Sequence, residues 1–253
     1  MISSRNKPVV LEAFGLSRSF DDEPPVFEDV NLTLHEGEFV SILGLSGAGK
    51  STLFNILAGL DQPDRGTVTV TKKVGYMLQK DLLLPWKRLI DNIALPLVLQ
   101  GMSRKEAQER ARPYLPQFGL SGLERRFPTE VSGGQRQRAA LLRTYLYGGE
   151  LLLLDEPFAG IDAITRKELQ AWLKTMQAEL GLTILLISHD LDEALALSDQ
   201  VYVLSAGQPA ALQPPLEVAS QPAGSLLPQL LDMLYTTRDG IHLGRKKHHD
   251  EKR

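Results

Sequence analysis

A doubly wound α/β core sheet, with an N-terminal antiparallel β subdomain and an inserted α-helical subdomain, is the fold class the sequence predicts. Three observations point to it. The buried-strand pattern Glu38-Phe39-Val40-Ser41-Ile42-Leu43 runs through a glycine-rich loop into a helical pattern at 51–58, giving the order strand, tight loop, helix. Two further apolar runs, at 151–154 and 182–187, flank a helical stretch at 165–180, and this β-α-β order calls for parallel pairing. At 253 residues and 43% hydrophobic content, the chain suits one sizeable domain with appended subdomains.

In chain order, two strands are expected at 9–20 and 25–34, separated by the acidic, proline-containing turn 21–24. Gly59 ends the helix after the loop, a turn follows at 61–66, and β structure resumes at 67–70. From 81 to about 130 the pattern turns helical. Ser103-Arg104-Lys105-Glu106 is a capping box, and Pro113 and Pro116 break or bend the helix it opens. A kinked helical subdomain is therefore expected at about 80–145. Beyond a strand at 201–204 the chain is rich in Pro, Ala and Gln, then offers a short apolar helix at 226–235. Residues 1–235 read as a single domain and 236–253 as a charged tail, whose His248 and His249, with His242 nearby, belong to a solvated end.

Composition excludes several function classes. Without cysteine there is no disulfide framework and no thiolate metal site. A net charge of −3 provides no global basic field for nucleic acid. Residues 1–10 lack the apolar stretch of a secretory signal, and no run approaches the roughly 18 apolar residues a span requires. The expectation is a cytosolic chain; if it serves transport, the pore belongs to another polypeptide.

The chemistry is concentrated in Gly44-Leu45-Ser46-Gly47-Ala48-Gly49-Lys50-Ser51. Gly44, Gly47 and Gly49 permit a tight backbone whose N–H groups converge on phosphate at a helix N-terminus, where the dipole favours negative charge. Lys50 reaches the β- and γ-phosphates and Ser51 offers its hydroxyl to Mg²⁺. The run 151–154 ends in Asp155 and Glu156, two carboxylates at the C-terminal edge of a parallel strand, where open α/β sheets bind ligands. Asp155 fits a Mg²⁺ partner, directly or through water, and Glu156 the base that activates the attacking water. A second anion site follows from Val131-Ser132-Gly133-Gly134-Gln135, where a serine and two glycines open another helix.

These residues resemble the ATP-binding cassette (ABC) ATPases, a P-loop NTPase family. Gln79, Asp162 in Ala159-Gly160-Ile161-Asp162, and His189 in Ile187-Ser188-His189-Asp190 match further family elements in the family's order, over about residues 8–208. The resemblance implies that ATP is held by Gly44, Ser46, Gly47, Ala48, Gly49, Lys50, Ser51 and Thr52. It implies a head-to-tail dimer in which Ser132, Gly133, Gly134 and Gln135 of a second copy cap that ATP. Gln79 would contact Mg²⁺ and the attacking water, joining Ser51 and Asp155 at the metal. His189 would hydrogen-bond the γ-phosphate, and Asp162 would help pair the subunits. Phe20 matches the position that stacks on adenine, and answers equally to a core aromatic. Val131 and Ala159-Gly160-Ile161 depart from the usual residues, bearing on interface strength more than on catalysis.

The apolar segment 81–97 combines packing of the helical subdomain with a docking surface, where the family receives a membrane permease. Leu83-Leu84-Pro85-Trp86, Asp91-Asn92 and Asp155-Glu156-Pro157-Phe158 look like the nitrate, sulfonate and taurine group of bacterial importers, with relatives that import thiamine precursors. The resemblance thus implies an ATPase on the cytoplasmic face of the membrane, a permease partner and, indirectly, a solute-binding protein. A cassette ATPase acting on nucleic acid or ribosomes is the alternative, but no coiled-coil insertion, second cassette or basic face is visible. A small-molecule kinase leaves the second anion site and His189 unexplained.

Overall fold

Alternation sets the first layer. Leu11, Ala13 and Leu16 on β1 (Val9–Arg18) and Val30, Leu32 and Leu34 on β2 (Phe27–His35) are all buried, while Glu12, Phe14, Asp29 and Asn31 between them are exposed. The computed structural model describes residues 7–20, 23–218 and 223–236. β1 ends at Arg18 and not at residue 20; part of the turn expected at 21–24 lies outside the described residues. β4 (Arg65–Val70) pairs antiparallel with the other edge of β1, completing a three-stranded sheet in the order β2-β1-β4.

The central strands of a second sheet show no alternation, because both of their faces are covered. All residues of β3 (Phe39–Gly44), β6 (Leu151–Asp155), β7 (Thr183–Ser188) and β8 (Gln200–Leu204) are buried. With β5 (Val74–Met77) and the short β9 (Leu216–Glu217) they form the order β5-β6-β7-β3-β8-β9, parallel throughout except for β9. Register aligns three strand ends: Asp155 faces Ile187 and Leu43 faces Ser188. The C-terminal edge of β6, β7 and β3 is thereby one continuous ledge.

Helices cover the faces. α1 (Lys50–Leu57) buries Leu53, Phe54 and Leu57 beneath the antiparallel sheet, in one cluster with Leu11, Leu32 and Ile42. α5 (Ala163–Leu180) crosses between β6 and β7, and α6 (Leu191–Leu197) and α7 (Ala223–Tyr235) pack near β8. The helices between β5 and β6 are α2 (Leu89–Leu99), α3 (Arg104–Ala111) and α4 (Gly133–Gly148). The Ser103 capping box is present, and α3 stops at Ala111 before a 3₁₀ turn over Arg112–Tyr114, where Pro113 cannot continue the ladder. The helical reading of 81–130 is too broad: 81–88 and most of 115–130 are turns and loops, because apolar side chains there fold back on α2 and α4 without a helical repeat.

α4 is clamped to the core. A Cβ on Gly148 would lie 2.2 Å from the Gly75 nitrogen, so only glycine admits the end of α4 against β5. Arg143 donates to the carbonyls of Asp81 (2.5 Å) and Leu82 (2.9 Å), and Arg136 pairs with the Asp81 carboxylate at 3.3 Å. Among the described residues, no helix is long and apolar enough to cross a membrane. The tail residues 237–253 lie outside the described residues.

Candidate active site

The turn from β3 into α1 is closed by Gly49, whose φ of 92° is left-handed and whose Cβ, if present, would meet Val26 at 2.4 Å. This brings the start of α1 under a cavity of about 640 Å³ walled by Val26, Ser46, Gly47, Gly49, Lys50, Ser51, Thr52, Gln79, Glu156, His189 and Gln208. Most of the residues singled out from the loop stand there. Gly44 and Ala48 lie behind the wall, where the buried Gly44 carbonyl accepts a hydrogen bond from Lys50 Nζ at 2.9 Å.

Lys50 is 7% exposed and its second hydrogen bond goes to the Leu45 carbonyl at 3.0 Å. Two carbonyls occupy two of three ammonium protons, leaving a donor for an anion. Burial lowers its pKa, while Glu156 and Asp155 oppose that shift. Asp155 is buried and accepts from Ser51 Oγ at 3.1 Å. Burial raises its pKa and Glu156 adds to the rise, against the Ser51 bond and Lys50. A buried carboxylate and a hydroxyl side by side, with a lysine donor near, suit a hard divalent cation on a triphosphate. The donor set therefore fits ATP and Mg²⁺.

Glu156 follows the last residue of β6 with a φ of 44°, a conformation that costs a non-glycine residue free energy. Its N–H donates to the Ile187 carbonyl at 3.0 Å, which holds the turn to β7. Its carboxylate is bracketed: Gln79 Nε2 donates to Oε2 at 3.2 Å, and His189 Nδ1 stands 3.3 Å from Oε1. Gln79 comes from beyond β5 and His189 from beyond β7. Their meeting on Glu156 follows from the strand order β5-β6-β7.

The residues expected to form a second anion site are elsewhere. Ser132 caps α4, its Oγ accepting from the Gln135 N–H at 3.2 Å while Gln135 Oε1 accepts from the Ser132 N–H at 3.0 Å. Gly133 is partly exposed, and Gly134 is buried against α5, where a Cβ would lie 2.9 Å from Thr165. None of residues 132–135 walls the phosphate cavity of its own chain. Asp162 caps α5, its carboxylate accepting from the Thr165 N–H at 3.0 Å. Phe20 is not a core aromatic: it is 43% exposed, with the Arg18 guanidinium 4.8 Å from its ring centroid, and it does not wall the cavity. β1 ends two residues before it, so no strand carries it inward.

Several participants carried no sequence signal. Val26 and Gln208 reach the cavity wall from loops far apart in the chain, and Gln137 donates from α4 to the Pro157 carbonyl just beyond Glu156. Among the described residues no group of three or more His, Asp or Glu side chains could hold a metal by itself. Any cation here would share its coordination with phosphate oxygens.

Similarity to known proteins agrees with this geometry. The ABC transporter family model matches residues 27–159. The formylaminopyrimidine import ATP-binding protein ThiZ of Halalkalibacterium halodurans is 45% identical over 192 residues, covering 75% of this chain and 77% of that protein. The aliphatic sulfonates import ATP-binding protein SsuB 1 of Rhodococcus jostii is 45% identical over 203 residues, covering 78% and 80%. Among solved structures, the dimeric bacterial cassette MJ0796 superposes with a TM-score of 0.70 at 28% identity, over 82% of this chain and 98% of that one; it is also known in a post-hydrolysis state with ADP and Pi. The cbiO1 structure from Clostridium perfringens, at TM-score 0.77 and 23% identity over 89% and 93%, shares the fold. The strand-loop-helix cradle, the bracketed glutamate and these likenesses lead to one conclusion: the chain belongs to the ABC transporter family, as an ATP-binding cassette subunit that hydrolyses ATP with Mg²⁺.

Proposed function

We propose that the chain drives a bacterial importer of a small solute, converting ATP-dependent closure of a two-copy, head-to-tail dimer into movement of a separate permease. The observation that carries the hydrolytic part is the bracketing of Glu156 by Gln79 and His189 on the wall that also holds Lys50 and Ser51. ATP supplies the phosphoanhydride whose γ-phosphoryl passes to water, and Mg²⁺ balances its charge. Lys50 binds phosphate with its remaining donor; Ser51, Asp155 and Gln79 are the side chains that would hold the cation. Glu156 takes the proton of the attacking water, and Gln79 orients both.

His189 faces Glu156 with Nδ1 and is 65% exposed. Its Nε2 is left for a phosphate oxygen.

The dimer reading is supported by the separation of the two anion sites, since the helix opened by Ser132, Gly133, Gly134 and Gln135 does not reach its own chain's cavity. A second copy related by a two-fold axis brings each such helix to the other's phosphate loop. The dimeric state of MJ0796 supports the same arrangement. Adenine stacking by Phe20 fits an exposed ring near the end of β1. Exposed Leu82 and Trp86 beside the Arg136 and Arg143 clamps offer the permease a surface mechanically joined to α4.

Import, and a position on the cytoplasmic face of the membrane, rest on the relatives named for import; their named solutes suggest a sulfonate-type or thiamine-precursor-type cargo, delivered by a solute-binding protein. Purification from native membranes tests this. The expected result is a co-purifying permease and, in proteoliposomes, ATP hydrolysis stimulated by an alkanesulfonate or a formylaminopyrimidine with its binding protein. Recovery of nucleic acid or ribosomes without a permease would refute it.

A further inference from the structure

His189 is the first of the two residues between β7 and α6, and both of its neighbours, Ser188 and Asp190, are tied to one side chain and its backbone. Glu193, on the first turn of α6, is 6% exposed. Its Oε2 accepts from Ser188 Oγ at 3.0 Å. The same hydroxyl accepts from the Asp190 N–H at 2.9 Å, and Asp190 in turn accepts from the Glu193 N–H at 3.1 Å. The three contacts form a closed ring around the base of His189. Asp190 also stands 3.5 Å from Arg166, which donates to the Ile161 carbonyl at 3.0 Å, so the ring is anchored to the segment that opens α5.

A carboxyl group in this position is costly. Its Oε1 is buried with no hydrogen-bond partner, and burial pushes its pKa up to about 7, with Asp190 and Glu156 adding to the rise and Ser188 and Arg166 opposing it. A leucine would fill the same volume without that cost. What a leucine cannot do is accept the Ser188 hydroxyl and thereby direct that hydroxyl's lone pair at the Asp190 N–H.

We propose that Glu193 is a positioning residue of the hydrolysis site, holding Ser188 and Asp190 so that the His189 ring meets Glu156. This rests on the reading of Glu156 and His189 given above. Glu193 does not wall the cavity and acts only through the bend.

The test is steady-state ATP hydrolysis by the full chain in a double-mutant cycle. Glu193→Ala is expected to lower kcat about tenfold with the KM for ATP changed less than twofold, because the Lys50 and Ser51 cradle is untouched. Glu193→Gln, which still accepts from Ser188, is expected to restore kcat to within about threefold. In a His189→Ala background, Glu193→Ala should lower kcat no further. An equal loss in both backgrounds, or a change confined to KM, would overturn the proposal. If Glu193→Ala does not fold, Ser188→Ala carries the same expectation with the carboxyl in place. Parental turnover in His189→Ala alone would instead overturn the reading of His189, and this inference with it.

Discussion

Replacing Glu156 by glutamine isolates proton transfer from everything else the site does. The amide keeps the length and shape of the side chain, and its oxygen still accepts from Gln79 Nε2, now 3.2 Å from Oε2. His189 can still lie against it, 3.3 Å away in the present arrangement. What disappears is a carboxylate able to take a proton from water. A positioned general base is worth about 10² to 10⁴ in rate, or about 3 to 5 kcal/mol of barrier. Binding should move the other way. Glu156 places negative charge near Lys50 and Asp155, opposing the burial-driven fall of the Lys50 pKa and adding to the burial-driven rise of Asp155's, so its neutralisation makes the cavity more favourable to an anion. The expected outcome is single-turnover hydrolysis slowed by about 10² to 10⁴ with Mg-ATP affinity equal to or tighter than the parent's. A dimer should then persist in size-exclusion chromatography at saturating Mg-ATP. Turnover within threefold of the parent would refute the assignment of the base to Glu156, and a monomer under those conditions would refute the closure scheme.

Other outcomes follow from the same geometry. Mixing a Ser132→Arg chain with a Lys50→Ala chain should give heterodimers retaining one intact composite face, with activity above that of either parent; activity no greater than the parents' in a titration of the two would remove capping across subunits. Between about pH 4.5 and pH 7 the folded chain keeps a proton on Glu193 that the unfolded chain has lost, so this group makes stability fall as pH rises through that window. The full loss is about 3 kcal/mol, and Glu193→Gln should abolish it; urea unfolding of both proteins at pH 5 and pH 8 would show a constant difference if the carboxyl were not buried. Gly148→Ala drives a Cβ to within 2.2 Å of the Gly75 nitrogen and should destabilise the chain by about 1 to 3 kcal/mol or more in urea, while unchanged stability would mean that α4 is not seated on β5 as described.

Much of this was legible in the chain before any coordinates. The loop 44–51 needs only local order, because glycines at fixed offsets and a following helix define a phosphate cradle by backbone geometry alone. Glu156 is legible for a related reason: five buried residues in a row mark a covered strand, and the acid after such a strand emerges at the sheet's ligand edge. The Ser103 capping box is also local, closed within four residues, as is the helix start at Ser132. Less legible were segments whose conformation depends on distant packing. Residues 81–88 are apolar without being helical, and the fate of Phe20 depended on where β1 lost its partner.

Residue order alone sets the chemical inventory, because phosphate cradles, caps and covered strands are written in residue types at short spacing. It also determined, through resemblance, the family to which that inventory belongs. Which groups touch is set by packing in three dimensions. That Gln79, Glu156 and His189 converge depends on β6 lying between β5 and β7, a pairing between segments about 70 and 30 residues apart, as set by sheet order. The burial of Glu193, and the separation of Ser132 from its own chain's phosphate loop, likewise depend on distant packing. Hydrogen bonds and cavities are properties of distances in space, and a linear pattern constrains those only where the chain is its own nearest neighbour.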